Sequence, residues 1–458
     1  MSARKLITSI FFILLLFILI GGLIYAWQAF PIISGYGAKN MASAVFVQHR
    51  DPTTILREDL GEFPFTLGNY VVNRKDSSVT GSVWGLAKQK AIYRPGLGCT
   101  LINDIPEEEL RKQVYQFSTT PKAPMDSLPW PYGDRIDSIT FAINKPLLEK
   151  VMDKAIKEKK NGKPCHTRAL LVVYDGKLVG EKYADGFDRN TVMLGWSISK
   201  SLTAALTGVL VQQGKLDVNA LAPVPEWQHT AKEKIRLIDL LQQTSGLDFE
   251  ENYTKPSEVT NMLFKRGDMA MFTALLPLKH TPGTVFNYSS GNSNILSRII
   301  RQTVGEKDYW SFPYTQLFHK LHMYSMVLEP DASGTFIGSS YSYATARDFA
   351  RFGLLYYNKG LWNGEQILPG NWVQQSVQPS PADKLHHYGF QFWLNGLDKK
   401  DPSKRMYPDV PKDMFFADGY GGQDIYIIPS EKLVIVRLGL HTIDENMLLK
   451  NIIQAVHF

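Results

Sequence analysis

The residue pair in this sequence best suited to chemistry is Ser197 and Lys200, at the head of the stretch Trp196-Ser-Ile-Ser-Lys-Ser-Leu-Thr-Ala-Ala-Leu-Thr-Gly-Val-Leu-Val-Gln-Gln-Gly214. Apolar residues stand at 198, 202, 205, 206, 209 and 210, the spacing of one buried helix face. Gly214 is a stop signal. The spacing therefore predicts a helix that begins at Ser197, with Lys200 one turn on and on the same side. Unpaired amides at a helix N-terminus favour negative charge and so can hold an alkoxide or oxyanion. The same positive end, together with burial, disfavours a protonated lysine and leaves it able to accept a proton. A serine hydroxyl is a weak nucleophile that needs such a base beside it, and acyl transfer is the chemistry this pair supports. Ser-x-x-Lys alone arises by chance, and its plain alternative is an N-cap serine with a solvated lysine.

The elements that position the pair are legible around it. Ala169–Tyr174 and Leu178–Tyr183 flank Asp175-Gly176 and read as a hairpin. Asp424–Ile428 and Leu433–Leu438 read as a second, and helices are expected over Lys145–Lys159 and from Asp444. Hairpins near both ends of this region, with mostly helical text between, predict an α/β (α+β) domain whose antiparallel sheet draws strands from both chain ends. Four prolines between Pro121 and Pro131 bar a helix or central strand there and mark a boundary. The expected organisation is 1–30 an anchor, 31–139 an N-terminal extension and 140–458 the main domain.

Five further segments carry a resemblance. Leu237-Ile-Asp-Leu-Leu-Gln-Gln-Thr-Ser-Gly-Leu247, Thr281-Pro-Gly-Thr-Val-Phe-Asn-Tyr-Ser-Ser290, Tyr343–Gly353, Tyr388–Trp393 and Gly419-Tyr-Gly-Gly-Gln423 stand in this order. They resemble the conserved-order segments of class C β-lactamases, penicillin-binding proteins and related esterases, over roughly residues 140–458. Trp-Ser-x-Ser-Lys-Ser and Gly-Gly-Gln resemble the wording of the 6-aminohexanoate-dimer hydrolase-like enzymes. The resemblance implies a β-lactamase-like fold, an antiparallel sheet flanked by helices with a mainly helical subdomain, and serine hydrolase activity without cofactor or metal. It implies Ser197 as the acylated nucleophile, Lys200 as its proton partner and Tyr288 as a further proton carrier. It places the oxyanion hole at the backbone amides of Ser197 and Tyr420, and substrate contacts at Ser290, Gly419 and Gly421. Two departures stand out. Where β-lactamases carry the lysine of Lys-Thr-Gly this chain has Ala417, followed by Asp418, and Ser290 replaces the asparagine of the second box. Asp418, if it faces the cleft, would repel a substrate carboxylate. Esters or linear amides, peptides included, are therefore expected as substrates ahead of β-lactams. The rival enzyme readings are a DD-peptidase or β-lactamase. An α/β-hydrolase is disfavoured because Gly195-Trp-Ser-Ile-Ser199 lacks the closing glycine of the elbow. The non-enzyme rival is a catalytically silent scaffold.

The remaining signals concern location. Arg4 and Lys5 precede Leu6–Trp27, 22 residues without a charge. As a helix this segment spans roughly 33 Å at about 1.5 Å per residue, enough for a hydrocarbon core of about 30 Å. Its end is bulky (Leu23, Ile24, Tyr25, Trp27), unlike a small-residue cleavage site. An uncleaved anchor lying in the bilayer through residues 6–27 is expected, with the N-terminus cytoplasmic and the catalytic domain periplasmic or otherwise extracytoplasmic. In that compartment Cys99 and Cys165 are expected to pair, the alternative being two buried thiols. The net charge of +6, from 50 basic and 44 acidic residues among 458, is spread without a basic block, so nucleic-acid binding is not indicated. Cys-x-x-Cys and His-Glu-x-x-His are absent, so a metal has no support. Oligomeric state leaves no trace in the sequence.

Overall fold

The computed structural model describes residues 3–116, 124–137 and 142–457, the side chains of 3–6 excepted. They form two compact units, the first made of residues up to 94 together with 99–112 and 250–267, the second of the rest.

The first unit is built on helix α1, Ala3–Phe46. From Ile7 through Ile24 its side chains are exposed, whereas Ser34 and Ala38 to Val45 are almost wholly buried. The helix does not stop where the apolar segment stops, because small residues continue it as a packing face. A Cβ on Gly37 would lie 1.8 Å from the Tyr70 ring, and one on Gly81 would lie 2.3 Å from the Ser34 carbonyl. Against that face lie strands β1 (Gly68–Asn73), β2 (Ser78–Val83), β3 (Leu86–Arg94) and β4 (Gly98–Leu101), in that order in one sheet. The helix Glu258–Lys265 joins this unit from far along the chain, its Phe264 ring 5.5 Å from that of Tyr36. The Ile7–Phe46 part of α1 is, among the described residues, the one helix long and apolar enough to cross a membrane.

The second unit has, in chain order, α2 (Lys145–Lys157), β5 (Ala169–Tyr174), β6 (Lys177–Tyr183), α3 (Ile198–Gln212), α4 (Ser290–Val304), α5 (Ala346–Tyr357), β7 (Trp393–Leu394), β8 (Phe415–Gly419), β9 (Gln423–Ile428), β10 (Leu433–Leu438) and α6 (Glu445–Val456). The strands form one antiparallel sheet in the order β7-β8-β9-β10-β5-β6, so both expected hairpins are present and are joined through β10 and β5. Alternation divides the side chains between two layers. Leu171, Val173, Ile425, Ile427, Val434 and Val436 pack with α3 and α5, while Leu170, Val172, Tyr426, Ile428 and Ile435 pack with α2 and α6. This is the mixed, antiparallel architecture expected.

Of the proline-rich passage, 119–133, residues 119–123 lie outside the described residues. From Pro124 on it is part of the second unit. Arg351 of α5 donates to the carbonyls of Pro131 (2.8 Å) and Gly133 (2.7 Å) and to Asp134 Oδ1 (2.6 Å), and lies over the buried Trp130 ring.

The expected disulfide is not formed. Cys99 in β4 and Cys165 take part in no disulfide. Each is buried as a small apolar side chain, Cys165 in the layer between the sheet and α2 and α6, the packing role open to a thiol.

Candidate active site

The site starts at the head of α3. Ser197 caps the helix with φ −69° and ψ −3°, and Trp196 before it holds φ +47°. A bulky residue in the left-handed region is strained, and such strain persists only where surrounding bonds impose it. Here they do. The Gly195 amide donates to the Ser342 carbonyl (2.8 Å), and the Ser199 hydroxyl donates to Trp196 O (2.7 Å) while accepting from the Ser342 amide (3.0 Å). Ser199 thus sets the turn that presents Ser197, a role its sequence position did not advertise.

Lys200 is 1% exposed. Its Nζ lies 2.9 Å from Ser197 Oγ, 3.0 Å from Ser290 Oγ and 3.1 Å from the Ser339 carbonyl, and sits 4.8 Å from the centroid of the Tyr288 ring. Ser197, Lys200, Tyr288 and Ser290 therefore converge. Ser290 was expected among substrate contacts, but it is fully buried at the first residue of α4 and engages Lys200. Tyr288 is held by aromatic neighbours, Trp393 at 5.3 Å and Tyr388 at 5.6 Å between ring centroids.

A buried amide network explains why three of the resembling segments occur together. The Gln391 side chain donates to the carbonyls of Leu240 (3.1 Å) and Leu241 (3.0 Å), and its Oε1 accepts from Ser293 Oγ (2.6 Å) and Gln243 Nε2 (3.3 Å). Gln243 Oε1 in turn accepts from Asn292 Nδ2 (2.8 Å) and the Ser289 amide (3.2 Å). Segments 237–247, 281–290 (through the Ser289 amide) and 388–393 are tied at one point, and with them, through Asn292 and Ser293, the start of α4 that carries Ser290. Low-dielectric networks of this kind, once satisfied, hold one geometry. The two glutamines, both at positive φ (+60° and +58°), were missed as individual residues.

The opposite wall is the end of β8. A Cβ on Gly419 would lie 2.2 Å from the Gly195 carbonyl, so this strand end abuts the turn that carries Ser197. The chain then reverses through Gly421 (φ +81°) and Gly422 (φ +83°). The turn is braced from below by the buried Arg437, which donates to Gly422 O (2.8 Å), and by Gln423, whose Nε2 donates to Tyr420 O (3.2 Å). Tyr420 is exposed, with its ring 6.0 Å from that of Trp196.

Ala417 is buried in the layer shared with α3. Asp418 does not share that face. It pairs with Asp424 across β8 and β9, on the side of Phe416 and Tyr426, and the Lys200 ammonium is near enough to favour its charged form. Burial, then the nearby Glu445, pushes its carboxyl up to about 7. Burial likewise pushes Asp424 well above the usual carboxylate range, with Glu445 and Asp418 adding to it and Arg437 opposing. Among the described residues no cluster of three or more His, Cys, Asp or Glu stands ready to hold a metal.

Residues 152–440 match the family model described as Beta-lactamase. The chain is 26% identical over 301 residues to the 6-aminohexanoate-dimer hydrolase of Paenarthrobacter ureafaciens, covering 59% of this chain and 72% of that one. Among solved structures it is similar to a penicillin-binding protein homolog from Caulobacter crescentus (TM-score 0.53, 14% identity, 70% of this chain and 98% of that one). It is also similar to a family VIII carboxylesterase (TM-score 0.52, 15% identity, 69% and 98%). At such identities the structures speak for the fold alone; the family model covers well over half of the chain, and the chain belongs to the beta-lactamase family as one of its serine hydrolases.

Proposed function

We propose that this chain is a membrane-anchored serine hydrolase that cleaves esters or linear amides through an acyl-enzyme on Ser197. The observation that carries the reading is the buried Lys200 amine 2.9 Å from Ser197 Oγ. Of the three oxygens at 2.9–3.1 Å from it, the Ser339 carbonyl only accepts. An ammonium donates to these. A neutral amine has two N–H bonds and one lone pair, so it donates to Ser339 O and Ser290 Oγ, and the Ser197 contact reverses: the serine hydroxyl donates to Nζ. In that state Ser197 Oγ attacks the substrate carbonyl carbon as its proton passes to Lys200, completing an ammonium already surrounded by acceptors. The carbonyl oxygen becomes an oxyanion received by the amides of Ser197 and Tyr420, each worth about 2.7–4 kcal/mol. Collapse breaks the bond to the leaving group, which takes a proton by way of Tyr288. Water then repeats the sequence on the acyl-enzyme and frees the acid.

Substrate class follows from what lines the cleft. The lysine that would hold a β-lactam carboxylate is replaced by Ala417, which offers no donor, and a charge-assisted hydrogen bond of that kind is worth about 1.5–3 kcal/mol. Aromatic rings stand beside the pair instead: Trp196 with Tyr420 at the nucleophile turn, and Tyr288 beside the Lys200 amine. The methylenes of an acyl chain suit such rings, and the Paenarthrobacter relative is named for hydrolysis of a 6-aminohexanoate dimer. Anchoring rests on the exposed apolar half of α1, with Arg4 and Lys5 at its cytoplasmic end and the hydrolase beyond it, outside the cytoplasm. The test is kcat/KM for the purified chain on p-nitrophenyl butyrate, a short ω-amino-acid amide and nitrocefin. Turnover of ester or amide well above nitrocefin is expected, and nitrocefin equal to or above both overturns the substrate assignment.

A further inference from the structure

Within the first unit, three contacts fix how the sheet runs along α1. The Tyr93 ring meets Phe46 at 6.0 Å, Gly81 sits on the Ser34 carbonyl, and the Trp84 ring meets Phe30 edge-on at 5.3 Å. The turn between β2 and β3 therefore points down the helix toward its exposed apolar half. Phe30 lies three residues past Trp27, about 4.5 Å along the axis, which is the depth of a headgroup layer of about 5–7 Å beyond the hydrocarbon.

That turn has the composition of an interface anchor. Trp84 is 71% exposed and Leu86 61%, while Trp27 on the helix is 83% exposed. Trp84 (φ +51°) and Gly85 (φ +80°) make the reversal that projects them. Lys88 follows on β3, exposed, with a stem long enough to reach lipid phosphate. The other end of β2 is the opposite in kind. Its turn is Arg74-Lys75-Asp76, about 20 Å away along six strand residues. One sheet thus ends in tryptophan and leucine beside the apolar helix and in charges away from it. Tryptophan concentrates at the membrane–water boundary for its flat apolar ring and N–H.

We infer that the Trp84-Gly85-Leu86 turn is a second membrane contact, seated in the headgroup and upper acyl region of the leaflet through which α1 leaves, so that the first unit is a collar resting on lipid. The inference rests on the reading of α1 as a membrane span.

The test uses the full chain in phosphatidylethanolamine–phosphatidylglycerol vesicles, with a nitrobenzoxadiazole probe on Leu86→Cys, Lys75→Cys or Leu14→Cys. The buried native cysteines are blanked by the unsubstituted chain. The Leu86 probe should emit at shorter wavelength than the Lys75 probe. It should be quenched by lipids bearing a nitroxide near the headgroup, and its aqueous iodide quenching should be several-fold weaker than at Lys75. Iodide quenching equal to Lys75 without nitroxide quenching overturns the collar. Shielding from both quenchers overturns it too, and assigns the turn to a protein partner. The Leu14 probe separates the two readings. If deep nitroxides quench Leu14 but none quenches Leu86, the span stands and the collar alone falls. If deep nitroxides fail to quench Leu14, both fall.

Discussion

Gly419→Ala tests the backbone oxyanion hole, the Tyr420 amide set against the turn that carries Ser197, without replacing a reacting side chain. The added methyl would stand 2.2 Å from the Gly195 carbonyl, a backbone atom that cannot rotate away. Reaching even 3.0 Å requires the end of β8 and the turn before Ser197 to part by about 0.8 Å. A shift of that size stretches an oxyanion hydrogen bond from the 2.7–3.1 Å range to beyond about 3.5 Å, where little of it is left. Loss of one such donor costs about 2.7–4 kcal/mol, or roughly 100- to 1000-fold in kcat. Because the amide acts on developing charge, KM should move far less than kcat. The assay is steady-state hydrolysis of p-nitrophenyl butyrate, with a thermal melt on the same sample to show that the fold survives. A folded Gly419→Ala protein whose kcat stays within threefold of the parent would refute the placement of Tyr420 in the oxyanion hole.

The other predictions concern the proton partner, the acidic pair and the substrate. Ser290→Ala removes the oxygen 3.0 Å from the Lys200 amine and should slow acylation by roughly 10- to 150-fold, the worth of a charged hydrogen bond; burst kinetics with unchanged acylation would show that Ser290 only packs. Asp418 and Asp424 hold protons more tightly folded than unfolded, in a setting that also includes Glu445, Tyr407, Tyr426, Arg437 and Lys200. The native state then binds more protons than the unfolded one, so stability falls as pH rises from the ordinary Asp range through about 7, by at most about 1.4 kcal/mol per pH unit per proton. Asp424→Asn should be more stable than the parent in urea at pH 8 and nearly equal to it at pH 4; the reverse order would be fatal to this account. Ala417 is buried beside α3, so Ala417→Lys should lower the melting temperature; in a variant that still melts cooperatively, nitrocefin turnover should rise relative to p-nitrophenyl butyrate, and an unchanged ratio would show that the missing lysine is not what limits β-lactams.

What could be read from the sequence was local or ordered along the chain. The buried face of α3 is a spacing, the hairpins are runs around Asp-Gly and Pro-Ser-Glu-Lys, and the boxes come in sequence, so the fold class and the Ser197–Lys200 pair were visible. What stayed hidden depends on the third dimension. The Ser339 carbonyl that receives Lys200 is a backbone atom 139 positions away and has no residue signature. Gln243 and Gln391 bond to each other across 148 positions. The face of Asp418 is a matter of strand parity, which a one-residue slip reverses. The excursion 250–267 and the run of α1 past its apolar segment follow from packing on small residues, to which hydropathy is blind. The disulfide failed because compartment says only that cysteines can pair, while each is used to fill its own core.

The most direct test is to find which residue is the nucleophile. The full chain treated with a fluorophosphonate, then digested and sequenced by mass spectrometry, should carry one adduct, on the peptide containing Ser197, with none in Ser197→Ala and much slower labelling in Lys200→Ala. Stoichiometric labelling of a different residue, or undiminished labelling in Ser197→Ala, would contradict the account at its centre.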